Sequence, residues 1–195
     1  MHRLGVFGGT FDPVHNGHLA AAVNARRALA LDRVLVVPAR DPWQKQDRRL
    51  APVEDRLAML EAAFDGVDGV EVSRLELDRP GPTYTADSVE ELHAARPEDE
   101  IFLIVGADAA SDLETWDRPE VMRDFTTIVI VSRADIAEPG APGPRWRVEH
   151  VRIPPLAISS TDLRRRAAAG DPLEGLMPPA AIRCLRERGL YADRG

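Results

Sequence analysis

Short apolar runs alternate with longer amphipathic patterns along nearly the whole chain, and this alternation restricts the fold more than any other feature. The runs at Leu4–Phe7, Val34–Val37, Val70–Leu77, Ile101–Gly106, Thr127–Val131 and Val148–Ile153 are candidate strands. Several are continuously apolar, as expected of parallel strands covered on both faces. Residues 18–30, 52–65, 85–95, 118–124, 160–169 and 179–188 read as helices. Strand–helix alternation with right-handed crossovers predicts an α/β fold built on a doubly wound parallel sheet. Helix punctuation agrees: Pro52 can open one helix, Thr85 or Asp87 can cap the next, and Pro97 closes it. A chain of 195 residues is one domain of ordinary size. The Pro/Gly-rich stretch at 138–145 reads as a surface loop, because too little chain follows it to fold alone.

Charge and cysteine usage narrow the class. The net charge of -7 weighs against a nucleic-acid binder, which is more often basic, but a few local cations could still hold a small anion. Of 25 basic residues all but Lys45 are arginine, which makes that lysine conspicuous. Cys184, the one cysteine, can form neither an intrachain disulfide nor a thiolate metal site alone, and its helical setting reads as a small buried side chain. The N-terminal residues are too few and too polar for a signal peptide, and the run at 101–107 is far short of the about 20 residues of a membrane span. A reducing compartment, the cytoplasm, is expected, with no membrane and no nucleic-acid partner; a homo-oligomer stays open.

In an open parallel sheet, ligands sit beyond the carboxyl ends of the strands, so the loops after Phe7, Pro38 and Val105 matter most. The first reads "GVFGGTFDPVHNGHLAAA", Gly5 to Ala22. It is not a P-loop, since no lysine stands in the required place, and no glycine triplet has the dinucleotide-fingerprint spacing. Gly8 and Gly9 nevertheless end the first strand, where glycine lets the backbone approach a ligand with its N–H groups exposed. Gly17 and His18 then open a helix whose unpaired N–H groups favour an anion. His15 and His18 can face one spot and donate N–H bonds to phosphate. From residue types alone, a phosphate site, a two-histidine metal site and two surface histidines compete.

Near the other end, "LAISSTDLRRR" spans Leu156–Arg166. Ser159 with Asp162 three residues on is capping-box-like, and Arg164 emerges one turn into the helix. Taken alone, this could be a capped, solvated, arginine-rich helix.

"GGTFDPVHNGH" resembles the H-x-G-H signature of the nucleotidyltransferase superfamily, and "ISSTxxR" resembles its second signature, in the right order. The resemblance implies a Rossmann-like fold and a single nucleotidyltransferase domain over 1–195, with a C-terminal helical segment at about 159–191 carrying the second phosphate motif. It implies that His15, His18 and Arg164 are catalytic. It further implies that ATP is bound by Gly8, Gly9, Thr10, Phe11, His15, His18, Asp108, Ile158, Ser159, Ser160, Thr161 and Arg164. Arg165 and Arg166 read as surface charges.

The middle of the chain bears on the second substrate. "RPGPTYTADSVEEL" (79–92), "IVGADAASDLETW" (104–116) and "PARDPWQKQ" (38–46) resemble the bacterial nicotinate mononucleotide adenylyltransferases, the last especially their actinobacterial branch. Many members have Pro-Pro-His-Lys where this chain has Pro-Trp-Gln-Lys, so Lys45 stays aligned while Trp43 and Gln44 depart. The implied activity is adenylyl transfer from ATP to nicotinate mononucleotide, giving nicotinic acid adenine dinucleotide and pyrophosphate. The implied contacts to that nucleotide are Lys45, Thr83, Tyr84, Thr85, Trp116 and Arg133. Thr83–Thr85 precede a helix, whose N–H groups suit the nicotinate carboxylate; Trp116 would stack on the pyridine ring. Mg²⁺ would be bound mainly through the ATP phosphates, with no protein metal site. The 40–50 loop is expected to be mobile. The alternatives are a sister transferase, either a phosphopantetheine adenylyltransferase or a cytidylyltransferase, and a non-catalytic nucleotide sensor.

Overall fold

A computed structural model describes residues 1–42, 50–133 and 142–192. Six parallel strands form one sheet in the order β3-β2-β1-β4-β5-β6. They are β1 Arg3–Gly9, β2 Arg33–Pro38, β3 Val70–Val72, β4 Glu100–Gly106, β5 Thr126–Arg133 and β6 Val148–Ile153. The helices are α1 Asn16–Ala28, α2 Val53–Phe64, α3 Thr85–Ala95, α4 Ala107–Ala110, α5 Pro119–Phe125, α6 Ser160–Ala169 and α7 Pro179–Glu187, with a 3₁₀ turn at Leu113–Thr115. The doubly wound parallel sheet expected from the apolar runs is the one observed.

Alternation along each strand divides the core in two. Val34 and Val36 of β2 join Phe7, Phe102, Ile104, Val129 and Val131 beneath α1, α2, α6 and α7. Leu35 and Val37 join Leu4, Val6, Leu103 and Ile130 beneath α3 and α5 on the other face. Successive residues point to opposite faces, and both faces are covered, so both phases of the central strands are apolar, while the edge strands β3 and β6 carry exposed Glu71, Glu149 and Arg152.

Three local readings need correction. The run Val70–Leu77 does not stay in the sheet: pairing ends at Val72, Ser73 N–H donates to Val36 O, and Leu77 and Asp78 close a turn onto Arg74 O. Neither Thr85 nor Asp87 caps α3. Tyr84 is its N-cap without a side-chain bond, and Asp87 is paired with Arg118 instead. Helix α1 opens one residue before Gly17, at Asn16, with His15 as N-cap. Cys184, expected to be buried, is half-buried against the core and forms no disulfide. Among the described residues no helix is long and apolar enough to cross a membrane.

Strand order reverses between β1 and β4, and the crevice outside their carboxyl ends is the ordinary ligand position of such a sheet.

Candidate functional site

A cavity of about 1080 Å³ opens at that crevice. Its walls come from the ends of four strands (Gly8 and Gly9 of β1, Gly106 of β4, Ser132 and Arg133 of β5, Ile153 of β6) and from the start of α6. Of the residues expected to bind ATP, Gly8, Gly9, Thr10, Phe11, His15, His18, Asp108, Ile158, Ser159, Ser160 and Arg164 all line it.

The loop from Gly9 to His15 is held tightly. A Cβ on Gly9 would meet the Phe11 ring at 2.9 Å, so only glycine lets that ring close over the strand end. Phe11 itself adopts a left-handed backbone (φ 49°), an uncommon conformation for a non-glycine residue, and the Asp12–Pro13 peptide is cis. The buried Phe11 ring meets Phe7 edge-on at 5.5 Å and His18 edge-on at 4.9 Å. His15 and His18 stack with centroids 3.7 Å apart. The spacing of the two histidines therefore does bring them to one spot.

Their protonation follows from the packing. Burial disfavours the charged His15 ring and lowers its pKa to about 4, so the imidazole is neutral near pH 7. The His15 backbone N–H donates to His18 Nδ1 at 3.2 Å. When neutral, His18 therefore carries its proton on Nε2. The pair offers directional hydrogen bonding to a ligand, with no fixed charge from His15.

The two ends of the chain meet here. Arg164 Nη1 donates to the Asp12 carbonyl oxygen at 2.6 Å and lies 3.7 Å from the Asp12 carboxylate. Ser160 Oγ donates to the Pro13 carbonyl at 2.9 Å, and Asn16 binds Gly175 and Leu176 carbonyls. Helix α6 is capped as expected: Ser159 Oγ accepts from Asp162 N–H at 3.2 Å. Thr161 is exposed and absent from the cavity wall, but its Oγ1 accepts from Arg164 at 3.1 Å. Arg165 and Arg166 both pair with Asp162 and take no part in the cavity.

The residues expected to meet the second nucleotide divide. Exposed Arg133 lines the cavity. Thr83, Tyr84, Thr85 and Trp116 do not. Thr83 is buried and bridges in parallel to Pro42, which places the start of α3 beside the chain leaving β2. Trp116 is half-buried against the α3–α5 core, its indole N–H without a hydrogen-bond partner among the described residues. Lys45, Trp43 and Gln44 lie outside the described residues, as does most of the 40–50 loop.

Three polar residues that organise the site were not singled out from the sequence. Asp12 is buried and its Oδ1 accepts from Ala51 N–H at 3.2 Å and from Tyr191 Oη at 2.6 Å. Arg56, 1% exposed, donates to four carbonyls: Thr10, Ala39, Arg40 and Ala51. It ties the loop after β1 to the exit of β2. A signal for Arg56 existed, since it occupies the same helical stripe as Leu60 and Ala63, where a cation is out of place unless it has internal partners. Asp12 and Tyr191 carried no such local mark.

Comparison with known proteins gives the lineage. Residues 6–166 match the family model described as Cytidylyltransferase-like. A Corynebacterium kroppenstedtii protein named nicotinate-nucleotide adenylyltransferase is 42% identical, over 99% of this chain and 92% of its own length. Relatives of the same name from Saccharopolyspora erythraea and Streptomyces coelicolor are each 41% identical, over 97% and 94% of this chain and 89% and 98% of their own lengths. In fold, the chain superposes on a Plasmodium falciparum nicotinic acid mononucleotide adenylyltransferase complexed with NaAD. That match has a TM-score of 0.82 at 19% identity and covers 98% of both chains. With full-length identity at this level and both signatures lining one cavity, the chain belongs to the nicotinate-nucleotide adenylyltransferases of the cytidylyltransferase-like family.

Proposed function

We infer that the chain transfers the adenylyl group of ATP to nicotinate mononucleotide, releasing pyrophosphate and forming nicotinic acid adenine dinucleotide. The observation that carries this is the meeting of the two motifs: Arg164 bonded to the loop that presents His15 and His18, in one cavity at the sheet's switch point. The family membership supplies the acceptor.

The acceptor's phosphate is already anionic near pH 7, so it attacks the α-phosphorus of ATP without a strong general base, and no covalent enzyme intermediate is required. The P–O bond to the β-phosphate breaks and pyrophosphate carries away the charge. The protein's task is to hold two polyanions in line and stabilise the charge that develops. In this reading the two imidazoles donate to the triphosphate, with His18 nearest the α-phosphate. The strand-end glycines offer backbone N–H groups, and Arg164 with Ser159, Ser160 and Thr161 holds the β- and γ-phosphates. Asp108 is assigned to the ribose of ATP. Arg133, Lys45, Trp116 and the N-terminus of α3 are assigned to the acceptor, the last reading its carboxylate.

Mg²⁺ is part of the proposal. The cavity's imidazoles, hydroxyls and guanidinium suit phosphate oxygens; of its carboxylates Asp12 is engaged by Ala51 and Tyr191 and Asp108 stands apart, and no group of three or more His, Cys, Asp or Glu side chains placed to hold a metal occurs among the described residues. The ion would therefore be held by phosphate oxygens and water, where it neutralises charge on the leaving group.

The test is pyrophosphate release when the protein is mixed with ATP and each candidate acceptor. Release with nicotinate mononucleotide, and far less with nicotinamide mononucleotide or phosphopantetheine, is expected. Equal kcat/KM for the nicotinate and nicotinamide forms would remove the carboxylate-reading role from Thr85.

A further inference from the structure

We propose that Tyr191 is a positioning residue for nucleotide binding: its hydroxyl, by holding one oxygen of Asp12, keeps the Asp12 carboxylate from clasping Arg164 and so leaves that arginine available to the triphosphate. This rests on the reading of the cavity as a triphosphate site.

The geometry is specific. Tyr191 lies past the end of α7, 27 positions beyond Arg164 and far in sequence from Asp12 (|i−j| = 179), yet its Oη donates to Asp12 Oδ1 at 2.6 Å. The same Oδ1 accepts from Ala51 N–H at 3.2 Å. With two donors on Oδ1, only Oδ2 faces the guanidinium, at 3.7 Å, which is a loose approach for an ion pair inside a protein. The short contact of Arg164 goes to the neutral carbonyl of Asp12, at 2.6 Å, and its second terminal nitrogen rests on Thr161 Oγ1 at 3.1 Å. A carboxylate free to rotate would present both oxygens to the guanidinium, the strong bidentate arrangement, and would compete with phosphate for it.

The tyrosine is held in place at some cost. Its backbone is left-handed (φ 61°), an uncommon state for a non-glycine residue that the surroundings must impose. Leu190 N–H bonds to Leu185 O just before it, and Arg188 pairs with Asp55 of α2 at 2.6 Å. Burial, and then the neighbouring Asp12 carboxylate, raise the pKa of the phenol, so it remains a donor over the working pH range. Besides Arg164, the charged group that acts on Tyr191 from the packed elements is Arg56, which also faces Asp12.

The test is a double-mutant cycle read by direct binding of Mg-ATP and of inorganic tripolyphosphate to the full chain: wild type, Tyr191→Phe, Arg164→Ala and the double variant. Tyr191→Phe keeps the ring and is expected to weaken both ligands about tenfold, the size of one hydrogen bond to a charged group. In the Arg164→Ala background the same change is expected to cost less than about twofold, because the residue it acts through is gone. In turnover, KM for ATP rises while KM for nicotinate mononucleotide stays constant. Equal losses in both backgrounds, or a matching rise in both KM values, mean a general structural effect and overturn the proposal. Asp12→Asn, which removes the charge but keeps the volume, is the second background: with no carboxylate left to clasp Arg164, adding Tyr191→Phe is expected to cost less than about twofold, and an undiminished tenfold loss overturns the proposal equally. Wild type that binds neither ligand overturns the triphosphate reading itself, whereas wild type that binds both with Tyr191→Phe unchanged overturns only the role of Tyr191.

Discussion

His15 should make the protein's stability fall steeply in mild acid. The ring is 8% exposed and its pKa is lowered from 6.5 to about 4 by burial. In the unfolded chain the same imidazole titrates near 6.5. Between pH 6.5 and about 4 the unfolded state therefore holds the extra proton and the folded state does not. Stability then rises with pH across this window, is fully present above about 6.5, and is lost as pH falls towards 4. At 1.36 kcal/mol per pH unit, the gap corresponds to about 3 kcal/mol, a large part of the about 5–15 kcal/mol that a domain of this kind has to spare. The assay is urea unfolding of wild type and His15→Asn at half-unit steps from pH 4 to 7.5. Carboxylates that titrate in the same range are common to both proteins and cancel in the difference, which should shrink by about 3 kcal/mol on acidification. An NMR titration of the His15 ring should place its midpoint near 4. A midpoint near 6.5, or unfolding curves that run parallel with pH, would refute the argument that burial keeps this ring neutral.

Two further outcomes follow from named contacts. His18→Ala should lower kcat by at least about 10²-fold with little change in Tm, the loss expected for one transition-state contact; normal turnover in a folded variant would remove His18 from the mechanism. Arg56→Met should destabilise the protein by at least about 3 kcal/mol in chemical denaturation, because it leaves the Thr10, Ala39, Arg40 and Ala51 carbonyls without their donor, and a change under 1 kcal/mol would show that water replaces it easily.

The sequence by itself determined the sheet and the local geometry of the two motifs, because both are written in local pattern. Continuous apolar runs such as Ile101–Gly106 are explicable only as strands covered on both sides, and Ile101, Leu103 and Val105 do face one helical layer while Phe102 and Ile104 face the other. The pairing of the histidines three apart and the Ser159 cap are each set within a single turn of chain, so spacing alone was enough for each of them; that the two stretches share one mouth was implied only by the family resemblance and is the work of the fold. Where local pattern misled, a longer-range partner was the reason. Val70–Leu77 looks like a strand, but after Val72 the backbone turns away as Leu77 and Asp78 bond back to Arg74. Asp87 looks like a cap, but Arg118 claims it.

Only the tertiary structure decided which polar groups meet. Asp12, Ala51, Arg164 and Tyr191 come from four separate stretches; the resemblance linked the first motif to Arg164, but nothing in the sequence signalled that Ala51 and Tyr191 would join them. The paired core layers bring those stretches together, and a buried carboxylate must then take its partners from whatever the fold delivers. The same holds for the protonation of His15: its ring chemistry is in the sequence, but its neutrality is a property of the packing around it.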